Sequence, residues 1–196
     1  HMDSKRETAL TTDTLGKYGL DWSPDGKKIV YNITNKEAGR SATDILVLDL
    51  ANKYVKQITK SGSHKSYEPK WSPDSKRIVK KKKKGDGHDQ VWLTDANGTF
   101  HSNLTKDTAT HNYFPAWIDD KTIIYTRSPG ELMMMQADGT NRQKIEGVNA
   151  TPVKYNAKAN KLIYIKSEEE NKLMLFDWQT KAVMELLDGT TLAKLF

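Results

Sequence analysis

The chain has 196 residues, with 31 Lys plus Arg against 25 Asp plus Glu and no Cys. The absence of Cys excludes disulfides, thiolate metal sites and thiol nucleophiles. Five lysines are consecutive, Lys80 to Lys84, and without them the balance is 26 against 25, so the net +6 comes from one run. A nucleic-acid face spreads Lys and Arg among aromatics, so no nucleic-acid partner is expected, and no apolar run reaches the ~18 residues of a membrane helix.

His1-Met2 reads as an expression-tag scar, and residues 1–5 as a disordered lead to one domain over 6–196. Glu7 to Thr11 then matches the closing strand of a later unit, which makes it the expected outer strand of a different unit. From Asp21 the chain reads Asp-Trp-Ser-Pro-Asp-Gly-Lys-Lys-Ile-Val-Tyr, and from Lys70 Lys-Trp-Ser-Pro-Asp-Ser-Lys-Arg-Ile-Val. A shorter third copy runs from Ala116 to Tyr125, and a worn fourth from Tyr155 to Tyr164. The anchors Trp22, Trp71, Trp117 and Tyr155 are spaced by 49, 46 and 38 residues. Those spacings bracket the roughly 40–45 residues of one propeller blade.

Each anchor is followed by an apolar pair, a third apolar segment such as Ile45 to Leu48 or Val91 to Leu93, a polar turn such as Asn97-Gly98-Thr99, and a closing segment. The units span about 18–59, 66–105, 113–146 and 151–187. Four short strands joined by turn residues predict an antiparallel sheet, and radial repetition of such sheets predicts an all-β propeller with four full units. Pro and Asp of the motif set the tight turn between the first two strands, the Asp accepting from backbone N–H groups, so the Asp is read as structural. Gly26 supplies positive φ there, and Ser75 at the matching place shows that the demand is not absolute. At the far end, Thr190 to Phe196 is expected to start one more inner strand.

The Trp-Ser-Pro-Asp-Gly units, each followed by an apolar strand and an Asp-Gly-Thr or Asn-Gly-Thr turn, resemble the WD40-like repeats of TolB-type β-propellers. Similar repeats occur in the propeller domains of prolyl-oligopeptidase-like enzymes. The resemblance implies a periplasmic or extracellular bacterial protein that binds a protein, peptide or cell-envelope component. Three arrangements fit the strand count: a fragment of a larger propeller, a ring closed on four blades, or a homodimer joined through unfinished edges.

No Gly-x-Ser-x-Gly elbow, phosphate loop or His-Glu-x-x-His is present, which points to a non-enzymatic protein without cofactor or metal. His64 and His111 lie in the loops before Trp71 and Trp117, and Tyr18, Tyr67 and Tyr113 each lie four residues before an anchor. Such loops ring one mouth of a propeller channel, so these five are the candidate ligand-binding residues. The alternative is an accessory or gating propeller of a hydrolase, or a carbohydrate-active propeller, with His64 and His111 beside Asp13, Asp107 or Glu68. Gly85 to Asp89 is read as a turn, not a calcium loop. For the lysine run, strand alternation puts Lys80 and Lys82 on the packed face, which is costly, so the run is expected to be a solvated loop. Otherwise Lys81, Lys83 and Lys84 form a patch for an anionic partner.

Overall fold

A computed structural model describes residues 8–37, 40–60, 62, 64–84, 87–149, 153–156, 159–166 and 172–187. All its regular structure is β. The first unit holds β1 (Lys17–Trp22), β2 (Lys28–Glu37), β3 (Arg40–Asp49) and β4 (Val55–Gln57). The second holds β5 (His64–Trp71), β6 (Arg77–Lys84), β7 (Asp89–Asp95) and β8 (His101–Asn103). The third holds β9 (Asn112–Trp117), β10 (Thr122–Arg127), β11 (Glu131–Gln136) and β12 (Gln143–Asn149). The fourth holds β13 (Val153–Asn156), β14 (Lys161–Lys166), β15 (Lys172–Asp177) and β16 (Val183–Leu187). Within each unit consecutive strands pair antiparallel; a single parallel bridge, Thr43 to Lys65, joins the first two units into one sheet.

The repeated turn has one local cause. Ser23 Oγ donates to Asp25 Oδ1 at 2.6 Å and accepts from the Lys28 amide at 2.8 Å, while Asp25 Oδ1 also accepts from the Lys27 amide at 3.0 Å. Ser72, Asp74, Lys76 and Arg77 repeat the arrangement, and Asp119 accepts from the Lys121 amide at 2.7 Å. Gly26 has φ +72° and Ser75 φ +60°, so the turn does require the left-handed region and Ser75 occupies it as a non-glycine.

The units pack in series by one rule. Strand alternation gives each sheet two faces. Trp71 lies on the face of unit one formed by Val30, Ile45 and Val47, with Ile78 beside it. Trp117 joins Val79, Val91 and Leu93 of unit two, and its Nε1 donates to the Lys70 carbonyl at 3.1 Å. Tyr155 packs against the cluster of Ile124, Leu132, Val148 and Leu162. Trp71 and Trp117 are 4% and 7% exposed, whereas Trp22, which has no preceding unit among the described residues, is 59% exposed. At the other end Ile163 and Met184 of unit four are exposed.

Two expectations are corrected. Residues 8–11 form no strand, so the expected outer strand from Glu7 to Thr11 is not there; Glu7 itself, like residues 1–5 and Thr190 to Phe196, lies outside the described residues. The lysine run is not a loop, because all five lysines lie in β6, where Lys81, Lys82 and Lys83 pair with both β5 and β7, Lys80 with β7 and Lys84 with β5. Ladder hydrogen bonds on both sides hold the strand, and Lys80 is accordingly 1% exposed.

Candidate functional site

The first strands of units one to three share an irregularity. Pairing shifts register between Tyr18 and Asp21 in β1, between Tyr67 and Lys70 in β5, and in the β9–β10 pair between Ile124 and Thr126. The residue three before each anchor has positive φ: Gly19 at +59°, Glu68 at +53°, Phe114 at +53°. Gly takes this conformation freely, but for Glu and Phe it costs about 1–2 kcal/mol each. A bulge re-aims side chains, and here both strained residues line a cleft of about 720 Å³. Trp71, Trp117, Tyr155, Ile163 and Leu173 supply its apolar walls, with Pro24, Pro73 and Pro115 between them.

The charged lining of the cleft is Asp21, Glu68 and Lys70, and Lys81, which does not line it, reaches Glu68. Lys81 Nζ donates to Glu68 Oε1 at 3.0 Å and stands 5.1 Å from the Tyr67 ring centre and 5.9 Å from that of Phe114. The ammonium is thus held by one carboxylate oxygen and two ring faces, a partly buried cation–π arrangement. Glu68 Oε2 is buried and has no hydrogen-bond partner, and the same holds for Trp71 Nε1. Asp21 Oδ2, also at the cleft, accepts from the Trp71 amide at 2.8 Å and so ties β1 to β5. A mostly apolar trough whose lining includes Asp21, Glu68 and Lys70 suits a ligand that is mostly apolar and carries a few fixed polar groups.

The five candidate mouth residues do not line this cleft; in β5 and β9 the residue after the Tyr does. Tyr18 is exposed on β1. Tyr67 flanks Lys81, and Tyr113 meets Phe114 edge-on at 5.0 Å. His111 lies apart: its Nδ1 is 3.1 Å from the Asp89 amide nitrogen and 3.2 Å from Asp89 Oδ2, and its ring meets His88 edge-on at 4.6 Å. His64 opens β5, and its ring is held below the ordinary imidazole pKa by lost solvation and by the ammonium groups of Lys82 and Lys84. Of the expected anionic-partner patch, Lys81 is engaged with Glu68, Lys83 stands opposite Asp89 in the ladder, and Lys84 is exposed. Among the described residues no three His, Asp or Glu gather in a metal-ligand set. No described helix is long and apolar enough to cross a membrane.

Phe114 escaped the sequence reading, and Glu68 entered it only beside the histidines. The available signal was Gly19, which marks the left-handed position in the first unit; Tyr-Glu-Pro and Tyr-Phe-Pro occupy the same register without a glycine to advertise it.

Comparison with known proteins defines the class: the chain has a TolB-like fold of the β-propeller type. TolB from Acinetobacter baumannii superposes with a TM-score of 0.72 at 20% identity, over 95% of this chain and 47% of that one. An oligogalacturonate lyase in complex with manganese gives 0.75 at 14% identity, over 93% and 57%. A puromycin-hydrolyzing peptidase from Mycobacterium tuberculosis gives 0.68 at 14%, over 88% and 31%. Among curated proteins, the lasso peptide isopeptidase AtxE2 of Asticcacaulis excentricus is 26% identical over 133 residues. That match covers 57% of this chain but 19% of the isopeptidase, and the chain spans about half the length of the Acinetobacter baumannii TolB. No protein-family model matches the chain.

Proposed function

We propose that this chain is a non-enzymatic TolB-like propeller scaffold, acting outside the bacterial cytoplasm, whose inner-strand cleft holds an extended, largely apolar peptide segment of a partner protein. The observation that carries the reading is the pair of strained residues, Glu68 and Phe114, both turned into one aromatic-lined cleft. Strain of this kind persists where the surrounding structure over-determines it, and it concentrates at binding sites. The sheets hold the trough rigid, which lowers the ordering cost of binding.

The test is a fluorescence titration of the cleft tryptophans with extended peptides rich in Pro and aromatic residues. Phe114→Gly is the decisive variant, because it removes the ring while relieving the backbone. It is expected to weaken binding about ten-fold or more while leaving the fold as stable as before or more so, by the cost of left-handed φ for a side chain. Unchanged affinity in Phe114→Gly refutes the reading.

A second reading, an accessory propeller beside a hydrolase or a carbohydrate-active propeller, is favoured by the isopeptidase match and by the lyase and peptidase neighbours. Turnover of an isopeptide or a uronate oligomer by this chain would support it over the binding scaffold.

A further inference from the structure

The lysine run serves two faces of one strand. Alternation sends Lys81 and Lys83 toward unit three and Lys80, Lys82 and Lys84 toward unit one. The second row carries no counter-charge of its own. Among the described residues none of its three lysines forms an ion pair, whereas Lys81 does. Asp44 is the carboxylate whose field reaches Lys80 and Lys82, and it is engaged by the Thr59 hydroxyl at 2.8 Å. Lys82 Nζ rests on the Trp92 ring at 4.5 Å, and Lys80 Nζ lies 3.2 Å from His101 Nδ1.

The neighbouring strand contributes more donors to the same place. In the β5–β6 ladder His64 stands opposite Lys84 and Ser66 opposite Lys82. Directly opposed residues share a face, with Cβ atoms about 5 Å apart. Ser66 is 0% exposed, yet its Oγ has no hydrogen-bond partner, and His64 Nδ1 is buried without one as well. A buried hydroxyl without a partner costs about 1–3 kcal/mol of desolvation, so Ser66 Oγ is a donor that favours an acceptor beside it. Exposure rises along the row, from Lys80 at 1% through half-buried Lys82 to exposed Lys84, so the row runs from the interior to an open rim.

We infer that the seam between units one and two is a binding site for a phosphate-type dianion, held by Lys82, Lys84, Ser66 and His64, with Lys80 behind them. Three lysines on one face, with Asp44 as the carboxylate whose field reaches Lys80 and Lys82, favour a doubly charged anion over a singly charged one. Four oxygens on one small centre match donors supplied by two neighbouring same-face ladder pairs, His64–Lys84 and Ser66–Lys82. The site is separate from the aromatic cleft, so it stands or falls independently of the peptide reading.

The experiment is calorimetric titration of the whole chain with inorganic phosphate at constant ionic strength, with acetate as the monoanionic control. One saturable site is expected for phosphate, with acetate at least ten-fold weaker. Ser66→Ala is the sharpest variant: it removes a hydroxyl that bonds nothing in the protein, so folding is spared. It should weaken phosphate about ten-fold, as loss of a hydrogen bond to a charged group does. Lys82→Gln should weaken it at least as much, and Lys83→Gln on the opposite face should not. No saturable binding, equal binding of acetate, an unaffected Ser66→Ala, or equal losses in Lys82→Gln and Lys83→Gln would each overturn the inference. Glycerol phosphate in a parallel titration separates the sources. Weaker binding than phosphate assigns the site to the free ion, and tighter binding assigns it to a phosphoryl group on a larger molecule; both support the site.

Discussion

Replacement of Lys80 by Met should make the protein more stable at neutral pH. Lys80 stands where Tyr31, Tyr125 and Tyr164 stand in the other units, all four within 2% exposure. Burial, then the like charge of Lys82, pushes its ammonium down to about 7, with Asp44 opposing weakly. In the unfolded chain the same group titrates near 10.5. A base whose folded pKa is depressed binds fewer protons folded than unfolded, so stability rises with pH between the two values and the full penalty applies below the lower one. The linkage relation puts the cost at about 4 kcal/mol at pH 7 and about 2 kcal/mol at pH 9. Lys80→Met keeps the straight chain and discards the charge. Urea unfolding of both proteins at pH 7, 8 and 9 measures the difference, in which other titrating groups cancel to first order. The expected result is a Met variant more stable by a few kcal/mol at pH 7, with the advantage shrinking by about 2 kcal/mol by pH 9. A pH-independent difference, or a less stable Met variant, would refute the premise that the ammonium is buried without an ion-pair partner. Saturating phosphate, if it occupies the seam, should raise the Lys80 pKa and flatten the same slope.

The anchor aromatics should separate by their surroundings. Trp71→Ala should cost about 3–5 kcal/mol in urea unfolding, while Trp22→Ala, exposed on the first unit, should cost less than about 1 kcal/mol. The Asp25 carboxyl is held below its ordinary value by the Ser23 hydroxyl and then by the Lys27 amide. Its contribution is therefore present above about pH 4 and lost as pH falls through the lower folded value, so Asp25→Asn should show a flatter acid-unfolding profile than the parent protein. Lys81→Met should weaken the titrated peptide through loss of the Glu68 partner but leave phosphate binding unchanged, and a parallel drop in both would contradict the two-faced reading of the strand.

What the residues disclose in advance depends on whether their meaning is local. The Trp-Ser-Pro-Asp turn is local: Ser, Asp and two amides within six residues close on one another, so sequence alone assigns the Asp a structural role. The serial packing of Trp71 and Trp117 follows from repetition, since a repeated aromatic must meet a repeated surface. The lysine run was misjudged because its fate is not local. Charge density argues for a loop, and only the ladder partners on β5 and β7, with Glu68 and the rings of Tyr67, Phe114 and Trp92, make a strand tolerable. Phe114 was invisible for a related reason: its left-handed φ is set by the bulge, and Phe does not announce that conformation as Gly19 does.

The two sites proposed here are consequences of one departure from the repeat. In the first unit the positions matching Lys80, Lys81 and Lys82 are Tyr31, Asn32 and Ile33, and in the third Tyr125 follows the same pattern. An aromatic at the first of these positions can be buried without charge, as Tyr31 and Tyr125 are. Five lysines impose alternate charges on both faces of β6, so each face must answer separately. The face toward unit three answers with Glu68, which reaches Lys81 from a residue held at positive φ. On the face toward unit one Asp44 acts on Lys80 and Lys82 through its field but forms no ion pair with them, and beside them stand a buried hydroxyl and an imidazole nitrogen without partners. A ladder that gathers donors and cations on one face is less stable by a few kcal/mol than the apolar repeat it replaces. An anion drawn from solution is the acceptor that removes that cost, and it would bind most tightly to the folded chain, raising its stability as its concentration rises.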